Sequence, residues 1–112
     1  MSKVIVIGGG PAGMMCAISR ATDGDDVILI EKNEKLGKKL YITGKGRCNV
    51  TNDCDNEEFL SNVVTNPKFL FGAINAFSTE ATLEFLKSNG LQVKTERGNR
   101  VFPESDKSSD IL

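Results

Sequence analysis

Four consecutive apolar residues, Val4-Ile5-Val6-Ile7, run directly into Gly8-Gly9-Gly10-Pro11-Ala12-Gly13, and no other stretch of the 112 residues limits the fold so sharply. A short apolar run that breaks on glycine reads as a strand. Gly8 permits a tight turn after it, and Gly13 allows a following helix to lie close against the strand. Pro11 suits the first helical turn, where its missing N–H costs nothing. Met14, Ala17, Ile18 and Ala21 then recur at i, i+3, i+4 and i+7, which predicts a helix over 11–21 with one face for a sheet. Asp23-Gly24-Asp25 supplies a turn, and Val27 to Ile30 form a second apolar run ending in Glu31. Runs apolar at every position are expected of parallel strands covered by helices on both faces. Residues 1–31 therefore predict a βαβ unit and an α/β fold with a parallel sheet.

The glycines also carry chemistry. Gly10 removes a side chain where a pyrophosphate must approach the backbone, and the first turn at Pro11, Ala12 and Gly13 offers N–H groups and partial positive charge to phosphate. Glu31 lies 18 positions beyond Gly13, at the end of the second strand, where a carboxylate accepts hydrogen bonds from ribose hydroxyls. The same carboxylate would repel a 2′-phosphate, which disfavours NADP at this site. G-x-G-x-x-G alone is a weak signal, because glycine turns are common. With a strand before it and a helix, strand and acid after it, the pattern predicts a dinucleotide site.

Composition excludes several alternatives. Fourteen basic against fifteen acidic residues leave a formal net charge of −1, which opposes nucleic acid as the main partner. No apolar run approaches the roughly 20 residues of a membrane span. The N-terminal apolar run is too short for a signal sequence. Three cysteines suggest reduced thiols in a cytoplasmic protein. With no histidine in the sequence, neither a Ser-His-Asp triad, a Cys-His pair nor a histidine-ligated metal can be built here, and no metal is expected.

Residues 32–54 form a basic, glycine-bearing stretch that reads mostly as extended loop. From Glu31 to Val50 six basic residues stand against Glu31 and Glu34, a net charge of +4. A solvated loop explains such a run by itself, but this one leaves the C-terminal end of a strand, where α/β sheets collect ligands. Residues 55–112 predict helices and a strand pair. Asp55 and Glu58 have cap-and-third-residue spacing before Phe59 and Leu60, with Val63 and Val64 continuing the apolar side. Asn66-Pro67 opens a second helix with Phe69, Leu70, Ala73, Ile74 and Phe77 on its buried side. Ser78 caps a third, with Leu83 and Leu86 inward and Gly90 as its stop. Leu91–Glu96 and Arg100–Phe102 predict short strands about an Arg97-Gly98-Asn99 turn. Ser108-Ser109-Asp110 has the composition of a helix N-cap with only Ile111 and Leu112 after it, as expected of the N-terminal part of a longer domain.

Three strings, Gly8–Gly13, Glu31–Lys39 and Thr43-Gly44-Lys45-Gly46-Arg47-Cys48-Asn49-Val50-Thr51-Asn52, resemble a bacterial flavoprotein family. Its members are described as NAD(P)/FAD-dependent oxidoreductases of the aminoacetone-oxidase-like group, with relatives implicated in bile-acid reduction. Arg97–Pro103 is similar to that family too. The resemblance implies a Rossmann-like FAD-binding domain, of which 1–112 is the N-terminal part, and flavin-dependent oxidoreduction by the whole protein. It implies FAD in the fingerprint with its ribose on Glu31, Lys32 and Lys39 near the adenosine and pyrophosphate, and Gly46, Arg47, Cys48 and Asn49 near the pyrophosphate or flavin. It also implies a small-molecule substrate, with NAD(P)H as electron partner. No residue acquires a catalytic role from it.

Cys48 and Cys54, with five residues between them, resemble in position the paired cysteines of flavin disulfide reductases, but at a different spacing. A structural thiol beside the cofactor is the preferred reading for Cys48, and packing for Cys16. An NAD-binding dehydrogenase domain shares the fingerprint and Glu31 but gives no reason for the Gly-Lys-Gly-Arg-Cys-Asn string. A non-catalytic nucleotide-binding module is the remaining alternative.

Overall fold

A computed structural model describes all 112 residues. Strand β1 (Lys3–Ile7), helix α1 (Pro11–Thr22) and strand β2 (Asp26–Ile30) form the expected βαβ unit, and β1 and β2 pair in parallel with Val4 beside Val27 and Val6 beside Leu29. Alternate residues of a strand point to opposite faces. Val4, Val6, Val27 and Leu29 are the less exposed set, turned to the face on which α1 lies. Ile5, Ile7, Ile28 and Ile30 make up the other face and stay 49–84% exposed. Cover on both faces, expected from the continuous apolar runs, is thus met by α1 on one face only.

The expected inner stripe of α1 is only partly inner. Met14 and Ala17 are half-buried, but Ile18 and Ala21 are exposed, because a two-stranded sheet is too narrow to cover the whole helix face. Cys16 is exposed as well, so the packing role expected for it is not found.

The stretch after β2 is less extended than its composition suggests. Lys38–Ile42 form a short helix, α2, and Thr43–Gly46 a 3-10 turn. Strand β3 (Thr51–Asn52), helices α3 (Asn56–Ser61), α4 (Phe71–Ala76) and α5 (Thr79–Ser88), and strands β4 (Val93–Glu96) and β5 (Arg100–Pro103) follow. The last two form the expected antiparallel pair, and β3 adds to β5 in the order β3-β5-β4. The caps fall where the spacing puts them: Asp55 accepts from the Glu58 N–H at 2.8 Å and Ser78 from the Ala81 N–H at 3.0 Å. Gly90 has φ +84°, the left-handed stop of α5.

Beyond the βαβ unit the buried apolar residues are Val101, Phe102 and Pro103 of β5, with Cys48, Ile74 and Leu86. Of the side expected to be buried after Asn66-Pro67, only Ile74 is, and Phe69 is 80% exposed. Val63 and Val64 lie beyond the end of α3, with Val64 98% exposed. Ser108–Asp110 is a single 3-10 turn packed on α2, with the Ser108 hydroxyl donating to the Tyr41 carbonyl.

Candidate functional site

The glycine loop is held from two sides. Gly8, at φ +102°, turns the chain out of β1 while its N–H donates to the Ile30 carbonyl at 2.8 Å. The Gly9 N–H donates to Glu31 Oε1 at 2.9 Å, and the Gly9 carbonyl accepts from the Gly37 N–H at 2.8 Å. Leu36 lies so close over Gly9 that a Cβ there would run into its side chain. A Cβ on Gly13 would collide with the Gly8 carbonyl oxygen, which is the close helix–strand approach that reserves this position for glycine.

Gly10 is the opposite case. A Cβ there meets nothing within 4 Å and no positive φ reserves the position for glycine, unlike Gly8, so open space faces the loop at Gly10. Gly10 is the N-cap of α1 and supplies no side chain, Pro11 has no N–H, and the first turn carries no acidic residue. The N–H groups of Gly10, Ala12 and Gly13 have no acceptor within the chain. Unpaired N–H groups, helix dipole and open space together fit a phosphate.

Glu31, just past β2, borders this loop. Its Oε2 accepts from the Asn33 N–H and side-chain amide, both at 2.8 Å. Those bonds from Asn33, then the one from Gly9, hold the carboxyl below the usual glutamate range. Glu31 is therefore an anion at neutral pH, with lone pairs left for a hydroxyl donor. Lys32 and Lys39 are exposed and form no ion pair, and Lys39 follows closely on Gly37, which is bonded to the glycine loop.

Gly46, Arg47, Cys48 and Asn49 lie in the turn and loop ahead of β3, where Arg47 and Asn49 contact residues of or beside the antiparallel sheet. No hydrogen bond or ion pair joins them to the glycine loop. Arg47 is engaged by Glu96 and Asp106. Cys48 has no exposed surface. The Asn49 amide nitrogen, in the orientation its surroundings require, donates to the Thr51 carbonyl at 3.0 Å and more weakly to Val101. All three cysteines are free thiols, and burial, with Glu58, Asp55 and Asp53 nearby, pushes the Cys54 thiol up. A thiol so raised is a poor partner for exchange, which favours the structural reading of this pair.

Asn33, Leu36 and Gly37 are site residues that the motif does not announce. One signal was present, since an Asn two positions after the acid can bond back to it, whereas the left-handed turn at Gly37, φ +66°, emerges only with the fold. The largest cleft, about 830 Å³ between the starts of α3 and α5, is lined by Asp53, Asp55, Glu57, Glu58 and Glu80, a lining that repels phosphate. No helix is long and apolar enough to cross a membrane.

This geometry defines a Rossmann-type nucleotide-binding unit. A profile of the HI0933-like protein Rossmann domain matches residues 2–112, and the chain belongs to that family. The chain is similar to a 3-dehydro-bile acid delta(4,6)-reductase of Clostridium scindens, at 38% identity over the whole chain and 27% of the relative. It is 34% identical to a ribosomal RNA dihydrouridine synthase of Escherichia coli over 78% of the chain and 21% of that protein. An NADH oxidase of Thermoanaerobacter brockii is 58% identical over 36% of the chain and 6% of the oxidase. The chain thus spans about a quarter of the length of the first two of these relatives.

Proposed function

We propose that this chain is the N-terminal, FAD-binding part of a flavin-dependent oxidoreductase. The observation that carries the reading is the row of unpaired N–H groups at Gly10, Ala12 and Gly13, with open space at Gly10, beside an ionised Glu31. These N–H groups hold the pyrophosphate, and Glu31 takes the adenosine ribose hydroxyls. Gly9, fixed through both its N–H and its carbonyl, keeps the loop from moving as phosphate arrives. Lys32 and Lys39 add positive charge at the rim. When bound, FAD supplies the hydride-transfer chemistry, and the residues here bind and orient it.

The substrate is proposed from the names of the relatives. A delta(4,6)-reductase and a dihydrouridine synthase both add hydrogen to an unsaturated substrate. We place the protein in that reaction class, acting on a small molecule with a nicotinamide as electron source. The charge balance of the chain supports a small molecule over RNA, and three unpaired cysteines suit a cytoplasmic protein.

The test is direct. The protein expressed from its whole reading frame is purified and its visible spectrum recorded. A flavin band, with FAD as the released cofactor, is the expected result. A colourless protein that binds NAD would instead establish the NAD-dependent dehydrogenase reading, and flavin without electron transfer to any acceptor would establish a binding module.

A further inference from the structure

Arg47 belongs to the most specific string in the sequence, yet its charge is already spent on other residues of the chain. Its Nε donates to Asp106 Oδ1 at 2.8 Å, and its Nη2 contacts both Asp106, at 2.7 Å, and Glu96. Lys94 completes the group, 2.7 Å from Asp106 and 3.6 Å from Glu96. Two cations and two carboxylates leave the cluster neutral. The guanidinium carbon also sits 4.0 Å from the ring centroid of Phe102, which is 2% exposed. Two guanidinium nitrogens thus converge on the single oxygen Asp106 Oδ1 while Lys94 holds Oδ2, and the guanidinium stacks on a ring, an arrangement a lysine ammonium does not reproduce.

The backbone beside Arg47 needs such a tie. Gly44, Lys45, Gly46 and Cys48 all have φ between +58° and +85°, two of them with side chains. Non-glycine residues held there are strained and persist only where the surroundings fix them. The loop closes on itself as well, the Cys48 N–H donating to Thr43 at 2.9 Å and the Arg47 N–H to Gly44 at 3.2 Å.

We infer that Arg47 is a positioning residue that pins the Thr43–Asn49 loop to the β4–β5 pair, and that cofactor contact from this loop falls to its exposed neighbours Lys45, Gly46 and Asn49. The functional half of the inference rests on the FAD reading. The pin itself does not.

The experiment uses the protein expressed from its whole reading frame, as wild type, Arg47→Ala, Arg47→Lys and the double variant Glu96→Gln/Asp106→Asn. Trypsin cleavage after Lys45 is followed in the flavin-free protein, and flavin affinity with the visible circular dichroism of bound flavin in the loaded one. A pin requires cleavage after Lys45 to rise on the order of fivefold in Arg47→Ala and in the double variant, less in Arg47→Lys. It also requires flavin affinity to fall in the same order, with an altered flavin spectrum. A phosphate-binding Arg47 gives the opposite sign in one arm: removing its two carboxylates frees the charge, and flavin binds more tightly. That result, or unchanged cleavage after Lys45 in the double variant, overturns the inference. Equally faster cleavage at every lysine also overturns it, since the cluster would then serve overall stability. If the wild type holds no flavin, the FAD reading fails while the cleavage series still decides the pin.

Discussion

At Gly10 an added Cβ meets nothing within 4 Å, whereas at Gly13 it runs into the Gly8 carbonyl oxygen. One methyl group therefore separates binding from folding. Gly10→Ala is expected to leave the melting temperature unchanged and to weaken flavin at least tenfold, about 1.4 kcal/mol, because the methyl occupies the space open to the pyrophosphate. Gly13→Ala is expected to destabilise the chain by roughly 2 kcal/mol, since the backbone must shift to admit it. Thermal melts alongside flavin titrations check both, and equal effects of the two would contradict this division. Glu31→Gln keeps the shape but loses the charge, and roughly a tenfold loss of flavin affinity is expected. The pH profile has a definite sign. The folded carboxyl titrates below its ordinary value of 4.5, so its contribution is complete above that value and is lost as pH falls through the lower one. Flavin affinity should thus be flat from about pH 5.5 to about pH 8 and fall only on the acid side.

The helices show which elements sequence spacing can define. Asp55 and Ser78 cap α3 and α5 with bonds of 2.8 and 3.0 Å, each to the N–H three residues on. Replacing Ser78 by Ala is expected to cost about 1 kcal/mol, read as a drop in the denaturant midpoint. Caps, the βαβ unit and the turn at Arg97–Asn99 depend on neighbours in sequence, so they were legible from it. The turn at Gly8, the close approach at Gly13 and the place of Glu31 beside the loop were legible for the same reason. Strand β3 was not: it is two residues long, and only pairing with distant Val101 and Arg100 makes it a strand. Helix α2 was hidden too, because five residues give no periodicity and its start at Gly37 is fixed by the bond to Gly9. The ion pairs of Arg47 were not legible either, for want of any sequence signal that Glu96 and Asp106, some fifty residues away, would reach it.

The molecule as a whole is open for its length. Its radius of gyration is 15.0 Å, against about 13 Å for a compact domain of this size, and only 11 of 112 residues are buried. The 112-residue chain by itself should therefore sit at or below the low end of domain stability, about 5 kcal/mol. The parallel sheet locates the cause. Val6, at 8% exposure, faces α1, while its neighbours Ile5 and Ile7 face solvent at 62% and 84%. Substitution on the two faces must then differ in effect. Val6→Ala removes buried methyls and is expected to cost roughly 1 to 2 kcal/mol. The paired change Ile5→Thr/Ile28→Thr keeps β-branched side chains on an exposed face and is expected to stay within about 0.5 kcal/mol of wild type. It should also reduce the binding of an apolar fluorescent dye, because Ile5 and Ile28 sit opposite each other in the bare face. Urea titrations with dye binding on the 112-residue chain make the comparison. A cost for the double change equal to that of Val6→Ala, growing with protein concentration, would mean that in solution a second copy of the chain covers the isoleucine face.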